Sequence, residues 1–328
     1  MSTNELRVGL IGLGTVGSAF LEVLRSRTDA IRHRTGIGLS VVSIAVARPH
    51  IPRPLAGDVP VHGSGAAIAL DPDIPLVVEA SGAQEASQWI ASVLSRGGVV
   101  ITANKQALVK NPLLLQALAD HHPNLHCEAA VAGALPIIRT LRDSLSCDRV
   151  QLLRGILNGT TNFLLSSLER TGSFDEVLRQ AQLAGYAEAD PTADLSGADA
   201  AAKLAILTTI AWREPVPISC IEVQGIDSTV TQQVKEACAA GRRVRLVAKA
   251  WRNGHIAASV RLEALPQHDP LASATGVENI VQLETELAGK LSWRGLGAGG
   301  VPTASALLSD VLAAVQTFTR PVRRNAHA

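Results

Sequence analysis

Residues 6–24 read LRVGLIGLGTVGSAFLEVL: an apolar run, a glycine cluster, then apolar residues at helical spacing. The run Leu6–Gly12 fits a buried strand, and Val16, Phe20, Val23 and Leu24 share one face of a helix. Gly12, Gly14 and Gly17 lie at the junction, where Gly12 permits the tight turn and Gly17 a close approach of the helix. Strand, glycine turn and helix in that order open an α/β domain.

The pattern continues. Leu39–Ala47 (LSVVSIAVA), Leu76–Ala80 (LVVEA) and Val99–Thr102 (VVIT) read as further buried strands, and Leu125–Val131 as another. A helical pattern through Trp89 and Leu94 separates two of them. Strands alternating with helices pair in parallel, so the first part of the chain is expected to be a Rossmann-like, doubly wound sheet. The second half has a different rhythm. Gln151–Leu157 reads as a strand, NGTTNFLLSSLERTG opens a helix, and Ser173 with Glu176 forms a capping box for a helix that stops at Gly185. Val244–Trp251, His255–Glu263 and Asn279–Glu286 are expected in a mixed or antiparallel sheet, and Thr303–Phe318 in a closing helix. The expected division is a nucleotide-binding domain over 1–134 and an α+β substrate and dimerisation domain over 135–295. A C-terminal helix over 296–320 returns to the first domain, and a polar tail covers 321–328.

Composition narrows the function classes. The 328 residues are 47% apolar and 18% charged with a formal net charge of +1, which suits a globular protein and disfavours nucleic acid as a partner. Arg242, Arg243 and Arg245 form the one basic cluster and read as a solvated strand end. Cys127, Cys147, Cys220 and Cys238 are scattered without zinc spacing, as in reduced cytosolic proteins. With no signal-like N-terminus and no membrane-length apolar run, a cytoplasmic protein is expected.

Gly12-Leu13-Gly14-Thr15-Val16-Gly17 matches GxGxxG in its required context, after a strand and at a helix start. The unpaired N–H groups at Thr15, Val16 and Gly17 would face a pyrophosphate. The second strand ends in Ala47-Arg48-Pro49, without the acid that binds an NAD ribose. Arg48 suits a 2′-phosphate, so NADP is expected over NAD. Lys105 follows the strand VVIT and Ser81 follows LVVEA, both at strand ends where ligands of open α/β sheets collect.

A second constellation is GYAEADPTADLSGADAAAKLAIL, residues 185–207. Asp199 and Lys203 are four apart and share a helix face, with Glu188 in the turn before them. Two carboxylates and an ammonium can hold a small zwitterion and move a proton.

The strings GLGTVG, TANK, EAAVAGALPII, RGILNGTTNF, GYAEADPTADLSGADAAAKLAIL and GLGAGGVPTA, in this order along nearly the whole chain, resemble homoserine dehydrogenases. The resemblance implies reversible NAD(P)-dependent interconversion of L-homoserine and L-aspartate 4-semialdehyde, on the route to threonine, methionine and isoleucine. It implies Lys105 and Lys203 as catalytic lysines and Glu188 and Asp199 as substrate-binding acids, with Glu188 near the amino group. It implies Ser81, Gly185 and Gly299 at the cofactor, with Lys105 beside it. It also implies a structural sodium ion on the Glu128 carboxylate and the backbone carbonyls of Val131, Gly133 and Leu135, and a homodimer. Asp190 and Asp194 are read as structural. The chain is expected to be a short form without an ACT domain.

Two other readings compete. An aldehyde dehydrogenase of similar layout needs an activated cysteine, and neither Cys127 nor Cys147 lies in a suitable turn after a cofactor strand. A catalytically dead NADP-binding regulator would have no use for Lys105, Glu188, Asp199 and Lys203 together.

Overall fold

The computed structural model describes residues 5–170 and 172–319; the tail expected at 321–328 lies outside them. The chain divides into two compact units. One takes in residues 5–104, Pro123–Ala129 and 303–319; the other takes in Lys105–His122 and Ala130–Pro302. The segment Lys105–His122, expected in the nucleotide-binding domain, therefore packs with the second unit.

The first unit holds a six-stranded sheet: β1 (Glu5–Ile11), β2 (Gly38–Ala45), β3 (Val61–His62), β4 (Leu76–Glu79), β5 (Val99–Thr102) and β6 (Leu125–His126). Its order is β3-β2-β1-β4-β5-β6 with every pairing parallel, so the strand order reverses between β1 and β4. β4 and β5 are buried along their length, as a parallel strand covered on both faces must be. The helix Thr15–Ser26 packs Phe20, Leu21 and Leu24 into this core. The closing helix Gly300–Thr319 adds Ala304, Leu307, Val311, Ala314 and Val315 to the same cluster. The strand expected over Leu125–Val131 is shorter: after His126 the chain turns into one 3₁₀ turn, Glu128–Ala130.

The second unit is built on β7 (Val150–Ile156), β8 (Ile221–Val223), β9 (Arg242–Asn253), β10 (His255–Pro266), β11 (Glu278–Thr285) and β12 (Gly289–Leu296), in the order β12-β11-β7-β9-β10-β8. All pairings are antiparallel except the parallel β8–β10, so the sheet is mixed. The helix Ala198–Trp212 packs against β7, β9 and β10 and against the helices Lys105–Lys110 and Pro112–Ala119. It is buried on nearly every side, which is why its sequence is apolar all round. The capping box at Ser173 forms, and the helix Phe174–Leu183 ends just before Gly185, whose φ is +72°.

Arg245 corrects the expectation of a solvated arginine cluster. It is 1% exposed, and its guanidinium donates to the carbonyls of Ala272 and Ala274 and pairs with Glu169. Arg243 pairs with the same carboxylate. The strand is buried continuously from Val244 to Ala248, so the charge is taken inside with its partners satisfied.

Candidate active site

Two constellations form, one in each unit. In the first, the glycine turn closes as its residue types require. Gly12 has φ +97°, and a Cβ there would lie 2.6 Å from the Ala80 carbonyl oxygen. A Cβ on Gly17 would lie 2.0 Å from the Gly12 carbonyl oxygen, so the helix can approach the turn only without a side chain. A Cβ on Gly14 would meet nothing within 4 Å. Gly14 is the N-cap and offers no side-chain cap, so the first N–H groups, those of Thr15 and Val16 among them, keep an open approach. An open Gly14 and an uncapped N-terminus fit a dinucleotide pyrophosphate. Arg48 is exposed just beyond β2. Arg53, which sequence reading missed because it sits in a proline-rich loop, donates to the Leu13 carbonyl at 3.4 Å.

Ser81 and Asn104 follow β4 and β5. The buried Glu79 accepts hydrogen bonds from the Ser81 hydroxyl at 2.6 Å, the Ser81 N–H at 2.8 Å and the Thr102 hydroxyl at 2.6 Å. Burial pushes the Glu79 carboxyl up from its ordinary pKa, against these hydrogen bonds.

In the second unit Asp199 stands between two lysines. Its Oδ1 lies 3.0 Å from Lys105 Nζ and its Oδ2 lies 2.7 Å from Lys203 Nζ. Lys105 begins the helix Lys105–Lys110, and Asp199 lies in the first turn of Ala198–Trp212, where the helix dipole favours an acid. Lys203 also donates to the Leu157 carbonyl at 2.7 Å and is 12% exposed, against 30% for Lys105. Burial by itself would raise the Asp199 pKa, but the Lys203 and Lys105 ammonium groups, with hydrogen bonds from Lys203 and Asn158, hold it well below the usual carboxylate range.

Sequence reading missed Asn158. Its side-chain carbonyl caps the helix Gly159–Leu168 through the Thr161 N–H at 2.8 Å, which turns its amide group toward the acids. That amide donates to Asp199 Oδ2 at 2.9 Å and Asp194 Oδ1 at 2.6 Å. Asp194 therefore joins the network, whereas Asp190 accepts from Thr192 within its own turn. The asparagine at a strand–helix junction was the available signal. Thr160 donates to the Tyr186 carbonyl at 2.7 Å, and the Tyr186 ring lies 5.2 Å from that of Phe163, fixing the turn that carries Gly185 and Glu188. Glu188 is exposed.

Gly299 has φ +111°, and Ala132 and Gly133 take φ of +54° and +57° in succession. Glu128, Val131 and Leu135 are buried. Among the described residues no group of three His, Cys, Asp or Glu side chains could hold a metal.

Residues 136–312 match the homoserine dehydrogenase family model, and residues 12–132 match that family's NAD-binding domain. The chain is 34% identical to the homoserine dehydrogenase of Bacillus subtilis over 98% of its own length and 75% of the relative's.

The chain belongs to the homoserine dehydrogenase family.

The solved homoserine dehydrogenase of Thiobacillus denitrificans superposes with a TM-score of 0.90 at 36% identity, covering 98% of this chain and 76% of that one. A hyperthermophilic archaeal homoserine dehydrogenase, solved in complex with NADPH, matches with a TM-score of 0.80 at 26% identity over 97% and 99% of the two chains. The protein has homoserine dehydrogenase activity and is an NAD(P)-dependent oxidoreductase of amino-acid biosynthesis. No described helix is long and apolar enough to cross a membrane.

Proposed function

We propose that the chain interconverts L-homoserine and L-aspartate 4-semialdehyde with NADP as its preferred cofactor, and that Lys105 transfers the proton. The Lys105–Asp199–Lys203 chain of ion pairs carries this reading. A nicotinamide bound there would supply the hydride acceptor or donor for the substrate C4 carbon. In aldehyde reduction the carbonyl oxygen gains negative charge, and the Lys105 ammonium donates a proton to it; in alcohol oxidation the hydroxyl proton passes back to the Lys105 amine. Lys105 is the more accessible of the two lysines. Lys203, held by Leu157 and Asp199, keeps Asp199 in place, and Asp199 orients Lys105. Glu188 receives the substrate amino group from its exposed turn. The fixed turn supports Gly185 as a cofactor neighbour, and Gly299 is carried over from the family.

Preference for NADP rests on Arg48 at the end of β2 and on Arg53 beside the glycine turn, with no acid at that strand end. The test is absorbance at 340 nm with homoserine and each cofactor, repeated on Arg48→Ala. The NADP/NAD ratio of kcat/KM should exceed one and fall in the variant; an unchanged ratio removes Arg48 from the assignment.

A structural sodium ion on Glu128, Val131, Gly133 and Leu135 is supported by its donor set, one carboxylate and three carbonyls, all hard oxygens. Replacing sodium by a bulky organic cation should lower the melting temperature of the apoprotein. A cytoplasmic homodimer completes the reading. Its support is the exposed apolar side chains Val223, Trp251 and Leu296 on β8, β9 and β12, the last two of them on long strands.

A further inference from the structure

Glu79 is fully buried, carries charge-bearing chemistry, and has no place in the proton transfer described above. Its surroundings lie at the sheet's switch point, where the ends of β1 and β4 part and where ligands of open α/β sheets bind. The Ala80–Ser81 peptide, which a Cβ on Gly12 would strike, is held on one side by the Ala80 N–H donating to the Ile11 carbonyl at 2.8 Å. On the other side the Ser81 N–H donates to Glu79 Oε1. The second carboxylate oxygen takes the Thr102 hydroxyl, whose own oxygen accepts from the Asn104 N–H at 2.9 Å. The Asn104 side chain closes the circuit by donating to the Ser81 carbonyl at 3.0 Å. One carboxylate thus ties the residues beyond β4 to those beyond β5.

The polarity of Ser81 follows. A hydroxyl has one proton and two lone pairs. The proton of Ser81 points to Glu79 at 2.6 Å, and one lone pair accepts the Ala83 N–H at 3.3 Å. What remains at Ser81 Oγ is a single acceptor site. An apolar residue in place of Glu79 would remove that acceptor, release the proton and let the hydroxyl donate instead.

We propose that Glu79 is a positioning residue for the nicotinamide end of the cofactor: it holds Ser81 as an obligate acceptor, which selects the N–H side of the carboxamide and so fixes which way the ring lies. This rests on the reading that Ser81 lines the nicotinamide side. The carboxamide offers both a donor amine and an acceptor carbonyl, so an acceptor-only partner discriminates between its two orientations, whereas a free hydroxyl does not.

The experiment measures equilibrium binding of NADP and of its 3-acetylpyridine analogue, in which a methyl ketone replaces the amide and no N–H remains. The unmodified chain should bind NADP about five-fold more tightly than the analogue, the value of one hydrogen bond. In Glu79→Met, of similar length, no acceptor remains for the Ser81 hydroxyl, its proton is free to turn to the ligand, and the preference should fall below about two-fold. Affinity for 2′-phospho-ADP-ribose, which lacks the nicotinamide, should be unchanged and reports an intact glycine turn. Ser81→Ala separates the two readings. If neither the unmodified chain nor Ser81→Ala distinguishes the ligands, Ser81 does not meet the carboxamide and the underlying reading fails. If Ser81→Ala loses the preference while Glu79→Met keeps it, the role of Glu79 is overturned and that of Ser81 stands. Should Glu79→Met not fold, judged by its melting curve, Glu79→Asp decides. A carboxylate one methylene shorter no longer reaches Ser81, and a preserved preference there overturns the proposal.

Discussion

At the scale of single residues, each unit carries a buried carboxylate beside its candidate residues, and the two behave in opposite ways. Asp199 is stabilised as an anion by two ammonium groups, so its ionisation is retained far into acid. A carboxyl whose folded pKa lies below its unfolded value contributes stability above the unfolded pKa and loses it only as pH falls through the folded value. The acid limb of the pH–rate profile should therefore belong to another group, and Asp199→Asn should leave its position unchanged while lowering kcat. Glu79 runs the other way. Its raised pKa means that the unfolded chain ionises first, so stability falls as pH rises from the ordinary carboxylate range to the folded value and is level above it. Chemical denaturation across that range should show the decline in the unmodified protein and a flatter profile in Glu79→Gln. Lys105→Ala should lower kcat about a thousand-fold, within the range of general acid–base groups, while NADP affinity measured by fluorescence stays the same. A near-normal kcat would remove Lys105 from the proton transfer.

At the scale of elements, the glycine turn makes two glycines testable against each other. Gly17→Ala drives a methyl into the Gly12 carbonyl and should cost about 1–3 kcal/mol in denaturant unfolding, with cofactor binding lost alongside. Gly14→Ala meets no atom and has φ −86°, so its stability should be unchanged while NADP binds more weakly, because the methyl stands where phosphate must approach. This turn, the buried strands β4 and β5, and the capping box were legible because each depends on local residue types. β3, β8 and β12 were not. The first two are of two and three residues, and β12 alternates half-buried and exposed positions between flanking glycines, so none presents a long apolar run. Arg245 was misread because strand periodicity assigns a face but not what covers it. Arg245→Ala should cost about 3–5 kcal/mol, since Glu169 would be left with one partner in a largely buried setting. The acids and Lys203 were legible through helical spacing, whereas Asn158 acts through a cap and a distant pair of carboxylates, which spacing does not reveal.

At the scale of the whole molecule, the expected dimer predicts a light-scattering mass twice that of one chain. Trp251→Glu, at an exposed position on β9, should shift it toward the monomer while leaving the melting transition intact. A monomeric unmodified protein would exclude the dimer. The chain passes from one unit to the other after Asn104, His122, Ala129 and Pro302, so neither unit is a continuous stretch of polypeptide. The helix Gly300–Thr319 supplies Leu307, Val311 and Val315 to a core whose other members begin at Val8. During synthesis, then, the nucleotide-binding half is begun first, but its core lacks the side chains of the closing helix until that last described element has been made. That core can be sealed only after the whole of the other half has emerged, which makes the order of translation opposite to the order in which the two halves can be completed.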